Sequence, residues 1–297
     1  MSSMRSRLAH LLILATTCIL AGKPSGHAQS AEMQSERSCA ASSASDDAQP
    51  SGPEISIAEV IFSRAFQMAT PDQDEIAASI KQRTRGNSLD EVTDEGLETA
   101  RADWQNQGYF KVQVSGEARI LTSTPVSQRV ALSVHVDEGL RYRLAEITFK
   151  HNRAISNVGV LRRFFAIDNG DIVNRDKIAK GLESLRIAYG DLGYINFTLI
   201  PNTKIDDESK LISIDIDFDE GKQFYIGGVN ILGLNEPARQ ELLKNFPMKP
   251  GQVYNGRLFY SFLEKYIPMF PDGVSRGLDE KAGTVTFTFD FRPCSGD

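Results

Sequence analysis

Few residues in this chain could do chemistry, and their spacing narrows what that chemistry could be. The 297 residues contain four histidines and three cysteines. If the N-terminus is a leader, His10 and His27 leave with it, and His135 and His151 remain. Two histidines nominate no Ser-His-Asp set. His135 is expected on the outward side of a strand and His151 in a strand-end turn, both solvated. Asp215, Asp217, Asp219 and Glu220 have a spacing that suggests calcium, but alternation along a solvated strand explains the three aspartates without it. Cys39 and Cys294 fit no metal motif. An oxidising compartment permits a bridge between them, and two free thiols are the alternative. Asn196-Phe197-Thr198 matches a glycosylation sequon, set aside on the assumption of a bacterial source. Neither a Walker loop nor a GxGxxG run is present. No metal, cofactor or small-molecule substrate is expected.

The elements that hold these residues come from the rest of the chain. A composition of 41% hydrophobic and 24% charged residues supplies real cores and rules out collagen, coiled coil and wholesale disorder. A formal charge of −6 argues against a nucleic-acid partner. Arg5 and Arg7 precede a mostly apolar stretch from Leu8 to Gly22, and Gly26-His27-Ala28 offers small residues at a cleavage site. Residues 1–28 are therefore expected to be a secretory signal peptide. The apolar run falls short of the roughly 20 residues that span a bilayer. A retained anchor is one alternative. Lipidation at Cys18 is another, though Ala15-Thr16-Thr17 before it lacks the usual pattern. Removing 1–28 leaves 30 basic and 39 acidic residues, a net charge of −9. Residues 29–53 are Ser, Ala, Gln and Asp with little to bury, and are expected to be a flexible linker.

From Glu54 the chain repeats itself. Asp137-Glu138-Gly139 recurs 82 residues later as Asp219-Glu220-Gly221. At that offset Tyr142 meets Phe224, Leu144 meets Ile226, Ile147 meets Val229 and Phe149 meets Ile231. Trp104 to Tyr109 resembles Tyr189 to Tyr194 at offset 85, and there Leu97, Ala100 and Trp104 fall on Leu182, Leu185 and Tyr189. That spacing is one face of a helix, and a core role is expected for Leu182, Leu185, Tyr189 and Trp104. Three copies follow, over 54–139, 140–221 and a shortened 222–293, with 294–297 as a tail.

The middle copy is clearest. Arg143 to Lys150 is a strand. Ser156 caps a helix to about Phe165. Asn174 caps a second helix to about Leu192, and Gly193 ends it. Ile195, Phe197 and Leu199 alternate with Asn196 and Thr198 as a second strand. Asp206 to Ser209 turns, and Ile212 to Phe218 alternate as a third. In the first copy Phe110, Val112 and Val114 point inward from the second strand. In the third copy the second strand is hard to find around Gly273 to Asp279. The fold class is α+β: three tandem β-α-α-β-β domains, each a three-stranded mixed sheet covered on one face by two helices.

A β-α-α-β-β unit with Gly-Tyr after its second helix and Asp-Glu-Gly closing its last strand resembles the POTRA domain. Gly108-Tyr109 with Asp137-Glu138-Gly139, and Gly193-Tyr194 with Asp219-Glu220-Gly221, carry the resemblance over residues 54–293. The third copy lacks the Gly-Tyr pair and ends in Phe291-Arg292-Pro293. POTRA domains stand in tandem in the periplasmic arm of BamA- and TamA-type outer-membrane assembly factors. There a β-barrel follows. A barrel needs at least eight strands of about ten residues, and none is expected in the 294–297 tail after the third copy. The resemblance implies a non-enzymatic periplasmic location, peripheral to the outer membrane, and protein partners: a separately encoded β-barrel or an unfolded outer-membrane client. It also puts the second strand of each unit on a sheet edge, about 110–116 and 195–200, where partners add by β-augmentation. Asn196, Thr198 and Ile200 are the expected contact residues, and Asp215 and Asp217 beside them should favour basic flanks. A rigid spacer without clients, or an unfamiliar hydrolase, are the rival functions.

Overall fold

A computed structural model describes residues 52–63, 67–266 and 273–292. The leader over 1–28, nearly all of the linker over 29–53, Cys39 and Cys294 lie outside the described residues.

The first repeat holds β1 (Glu54–Ser63), α1 (Thr70–Arg83), β2 (Arg85–Gly86), α2 (Leu89–Asn106), β3 (Gln113–Ser123) and β4 (Ser127–Asp137). The second holds β5 (Arg143–Lys150), α3 (Val158–Arg162), α4 (Arg175–Asp191), β6 (Thr198–Asp206) and β7 (Leu211–Asp219). The third holds β8 (Tyr225–Leu232), α5 (Glu236–Asn245), α6 (Gly256–Tyr266), β9 (Val274–Asp279) and β10 (Thr284–Asp290). In each sheet the last strand is central. It pairs parallel with the first strand and antiparallel with the strand just before it. A parallel pair needs a long crossover, and the two helices of each repeat supply it.

Side-chain caps start the long helices, at Asn174 as the sequence predicts. The Ser88 hydroxyl accepts the Glu91 amide at 3.1 Å, and Asp90 and Glu91 favour the positive end of α2. The Asn174 carboxamide accepts the Lys177 amide at 2.9 Å to open α4. Leu185 and Tyr189 are fully buried, with Leu182 and Ile178 packed against the same core. Trp104 and Ala100 occupy the matching places in the first core, with Leu97 packed against it. Phe259, Phe287 and Phe289 anchor the third. The three cores are separate clusters.

Four expectations need correction. Asn157, not Ser156, caps α3: its Oδ1 accepts the amides of Gly159 (2.9 Å) and Val160 (3.3 Å), and the helix ends at Arg162. The first sheet gains a fourth strand, the two-residue β2, antiparallel to the start of β1. Ile172 and Val253 bridge the same end of β5 and β8 in the other repeats. The second strands also start later than expected: β3 at Gln113 and β6 at Thr198.

Candidate functional site

The late start of β6 has a packing cause. Phe197 stacks on Tyr189 with ring centroids 4.0 Å apart, and its amide closes a turn onto Tyr194 O at 3.1 Å. Ile195 packs against the core of the third repeat rather than its own. Phe110, its counterpart 85 residues earlier, likewise packs against the core of the second. Residues 110 and 195 are therefore not inward strand positions. Asn196 is off the strand as well, and its carboxamide donates to Glu280 of the third repeat at 2.7 Å. The three expected contact residues are thus split. Thr198 and Ile200 stand on the exposed side of β6, with Ile200 at 63% exposure, while Asn196 belongs to a contact between repeats.

β6 is an edge strand, pairing with β7 on one side only. Pro201 stands inside it. Proline is tolerated in a ladder where its nitrogen faces the open edge. The pairing with β7 runs without a register shift. By the two-residue alternation, the amides of Leu199, Thr203 and Ile205 then share the open side with Pro201. Those of Thr198, Ile200, Asn202 and Lys204 point to β7. β3 is the corresponding edge of the first sheet, and β9, exposed along its whole length, of the third.

The charge of Asp215 beside β6 is already matched. Lys204 Nζ lies 2.6 Å from Asp215 Oδ2 and Lys150 Nζ 3.5 Å from it, while Thr148 donates to Oδ1 at 2.5 Å. Lys204 first, then Thr148, hold the Asp215 carboxyl well below the usual carboxylate range, and Asp215 raises Lys204 in turn. Asp217 Oδ1 is 2.5 Å from His151 Nδ1. Asp215, one of the two acids of the expected flank, is therefore paired with lysine, because β6 runs on to Lys204. At the β6–β7 turn, Asp207 takes Lys111 (2.7 Å) and the Tyr142 hydroxyl (2.7 Å), which lower its pKa in that order.

The acid of each Asp-Glu-Gly run has a structural task that sequence reasoning missed. Glu220 and Glu138 are buried. Glu220 Oε1 accepts the amides of Arg153 (2.7 Å) and Ala154 (2.9 Å) and the Tyr189 hydroxyl (2.8 Å). Burial, then this bond, pushes the Tyr189 hydroxyl well above its ordinary value. Glu138 accepts the Gln67 amide (2.7 Å) and Trp104 Nε1 (3.2 Å). Each glutamate ties the end of its sheet to the loop after the first strand and to the aromatic residue of the long helix. The repeat offsets were the signal: each glutamate recurs with its aromatic partner. Among the described residues no group of three or more His, Cys, Asp or Glu gathers to hold a metal ion. His135 is exposed on β4, with Nδ1 3.2 Å from Ser63 Oγ.

Glycines open each passage between repeats. Gly108 and Gly193 have φ of +92° and +87°. A Cβ on Gly193 would lie 2.9 Å from Phe224 O and 2.7 Å from a Val253 methyl. The Gly193 carbonyl accepts the Phe224 amide at 2.8 Å, as Gly108 O accepts Tyr142 N at 2.8 Å. The glycine of each Gly-Tyr pair thus joins one repeat to the next.

Comparison with known proteins agrees with this architecture. The family model described as POTRA, surface antigen variable number repeat, matches residues 142–221. The outer membrane protein assembly factor BamA of Neisseria meningitidis serogroup B is 26% identical over 164 residues, 52% of this chain and 20% of that protein. A putative outer membrane protein assembly factor of Treponema pallidum is 25% identical over 158 residues, 52% of this chain and 19% of that protein. The matched part thus spans about a fifth of those relatives. The crystal structure of POTRA domains 3–5 of Haemophilus influenzae BamA covers 82% of this chain and 98% of its own, with a TM-score of 0.58 at 18% identity. That likeness bears on the fold. Residues 142–221 thus match a POTRA domain, and the three repeats share the fold of a tandem POTRA array.

Proposed function

We propose that this chain is a non-enzymatic periplasmic module that binds extended protein segments by adding them to the outer edge of β6, in the service of outer-membrane protein assembly. The observation that carries this reading is an edge strand of nine residues with an open side. An unpaired row of backbone donors and acceptors is a template for another strand. Ile200 and Thr198 line its exposed face, and matched charges at Asp215 leave no electrostatic barrier to an approaching chain. The relatives named as outer-membrane protein assembly factors support the setting. The partners proposed are an unfolded outer-membrane polypeptide or a separately encoded barrel. Among the described residues no helix is long and apolar enough to cross a membrane.

The test is capture of a labelled strand peptide from an outer-membrane β-barrel protein, followed by fluorescence anisotropy on the full chain. Thr203→Pro removes one open-side amide and should weaken capture while the fold persists. Unchanged capture by a folded Thr203→Pro protein excludes this edge.

A spacer role has one observation in its favour: hydrogen bonds cross both passages between repeats. A chain that captures no strand at any edge is the outcome this reading expects.

A further inference from the structure

We infer that the long helices of the three repeats form a capping relay, in which the C-terminus of one helix closes the N-terminus of the next. A helix leaves its first amides without internal partners. In α4 the N-cap Asn174 accepts the Lys177 amide through Oδ1 at 2.9 Å. The Asp176 amide is accepted by Asn106 Oδ1, at the end of α2, at 2.9 Å. In α6 the N-cap Asn255 accepts the Leu258 amide at 2.9 Å, and the Arg257 amide is accepted by Asp191 Oδ1, at the end of α4, at 2.7 Å. The capping asparagines complete the link from their other side: Asn174 Nδ2 donates to Asn106 O at 3.0 Å, and Asn255 Nδ2 to Asp191 O at 2.9 Å. This double task selects asparagine. Serine or aspartate would cap the helix equally well, but neither carries an amide donor for the bridge.

The two relays differ in charge. Asn106 is neutral. Asp191 also holds Arg257 at 2.8 Å, and a carboxylate suits the positive end of α6. The helices meet closely there, since a Cβ on Gly256 would stand 3.3 Å from the Gly190 carbonyl carbon. The second relay therefore has a screenable ion pair built into it, whereas the ion pairs across the first passage, Lys111–Asp207 and Arg175–Glu98, lie beside the relay. The consequence is a fixed angle between repeats, set by side chains that the repeat pattern carries.

Nitroxide distances test this in the full chain with its three cysteines changed to serine. Labels at Lys180→Cys and Lys244→Cys span the second passage, and labels at Glu75→Cys and Lys180→Cys the first. The unaltered relay should give one narrow distance across each. Asn255→Asp keeps the cap on α6 but removes the donor to Asp191 and sets a second carboxylate beside it. It should broaden the second distance while the helix signal in circular dichroism stays. Asp191→Asn should keep the distance narrow and abolish its salt dependence. A narrow, unshifted distance in folded Asn255→Asp overturns the relay. If that variant loses helix, Asp191→Ala replaces it, because the own cap of α6 is then untouched; an unchanged distance there overturns the relay as well.

Discussion

Leu185 shows how one residue type is committed by its place. It lies between Gly181 and Tyr189 on α4 and is fully buried in the second core. Leu185→Ala should cost about 2–5 kcal/mol, read from urea melts, because the site loses both transfer energy and packing. A loss under about 0.5 kcal/mol would reject the packing of α4 onto the sheet. Asp215 gives a pH signature. Its folded pKa is depressed, so its contribution exists above the unfolded value of about 4 and fades as pH falls through the folded one. Asp215→Asn should lower the urea midpoint near neutral pH, and the gap from the parent protein should close on acidification. The effect will be small, since Lys204 is exposed and screened. A gap of constant size from neutral to acid pH contradicts the Lys204–Asp215 pairing.

At the scale of elements, the edge assignment makes a paired prediction on β6. Thr198→Pro removes an amide that faces β7 and should lower the thermal midpoint. Thr203→Pro removes one that faces the open edge and should leave it nearly unchanged. Equal destabilisation by both, seen in scanning calorimetry, would mean that the alternation along β6 has been taken in the wrong phase. The helix faces and the central strands were legible because each serves a single core: Leu182, Leu185 and Tyr189 keep helical spacing, and Ile212 to Phe218 keep strand spacing. The starts of β3 and β6 were not. Phe110 and Ile195 look like inward strand residues, yet their apolar surface serves the following repeat. A pattern of alternation cannot say which core an apolar side chain enters. β9 was faint for a different reason: with no residue buried, it has no hydrophobic period to read. At the candidate edge, Thr198 and Ile200 were legible and Lys204 was not, since it lies past the point where the strand was expected to end.

At the scale of the molecule, three small cores are built from one plan, and the Gly-Tyr and Asp-Glu-Gly runs that reveal the plan in the sequence turn out to be its fastenings. Gly193 and Gly108 carry the chain into the next repeat, and Glu138 and Glu220 close the first and second sheets on their long helices. An array fastened this way holds its edge strands in fixed places, and β6 is the edge on which the proposed function rests. Photo-crosslinking tests that most directly. A benzophenone amino acid is placed at Ile200 on the exposed face of β6, and in a second protein at Lys180 on the far side of α4. Both proteins are mixed with an unfolded outer-membrane β-barrel polypeptide and irradiated. The predicted result is a crosslinked product from position 200, competed by an unlabelled strand peptide, and little from position 180. Equal products from the two positions, or none from position 200 in a folded chain, would contradict binding at β6.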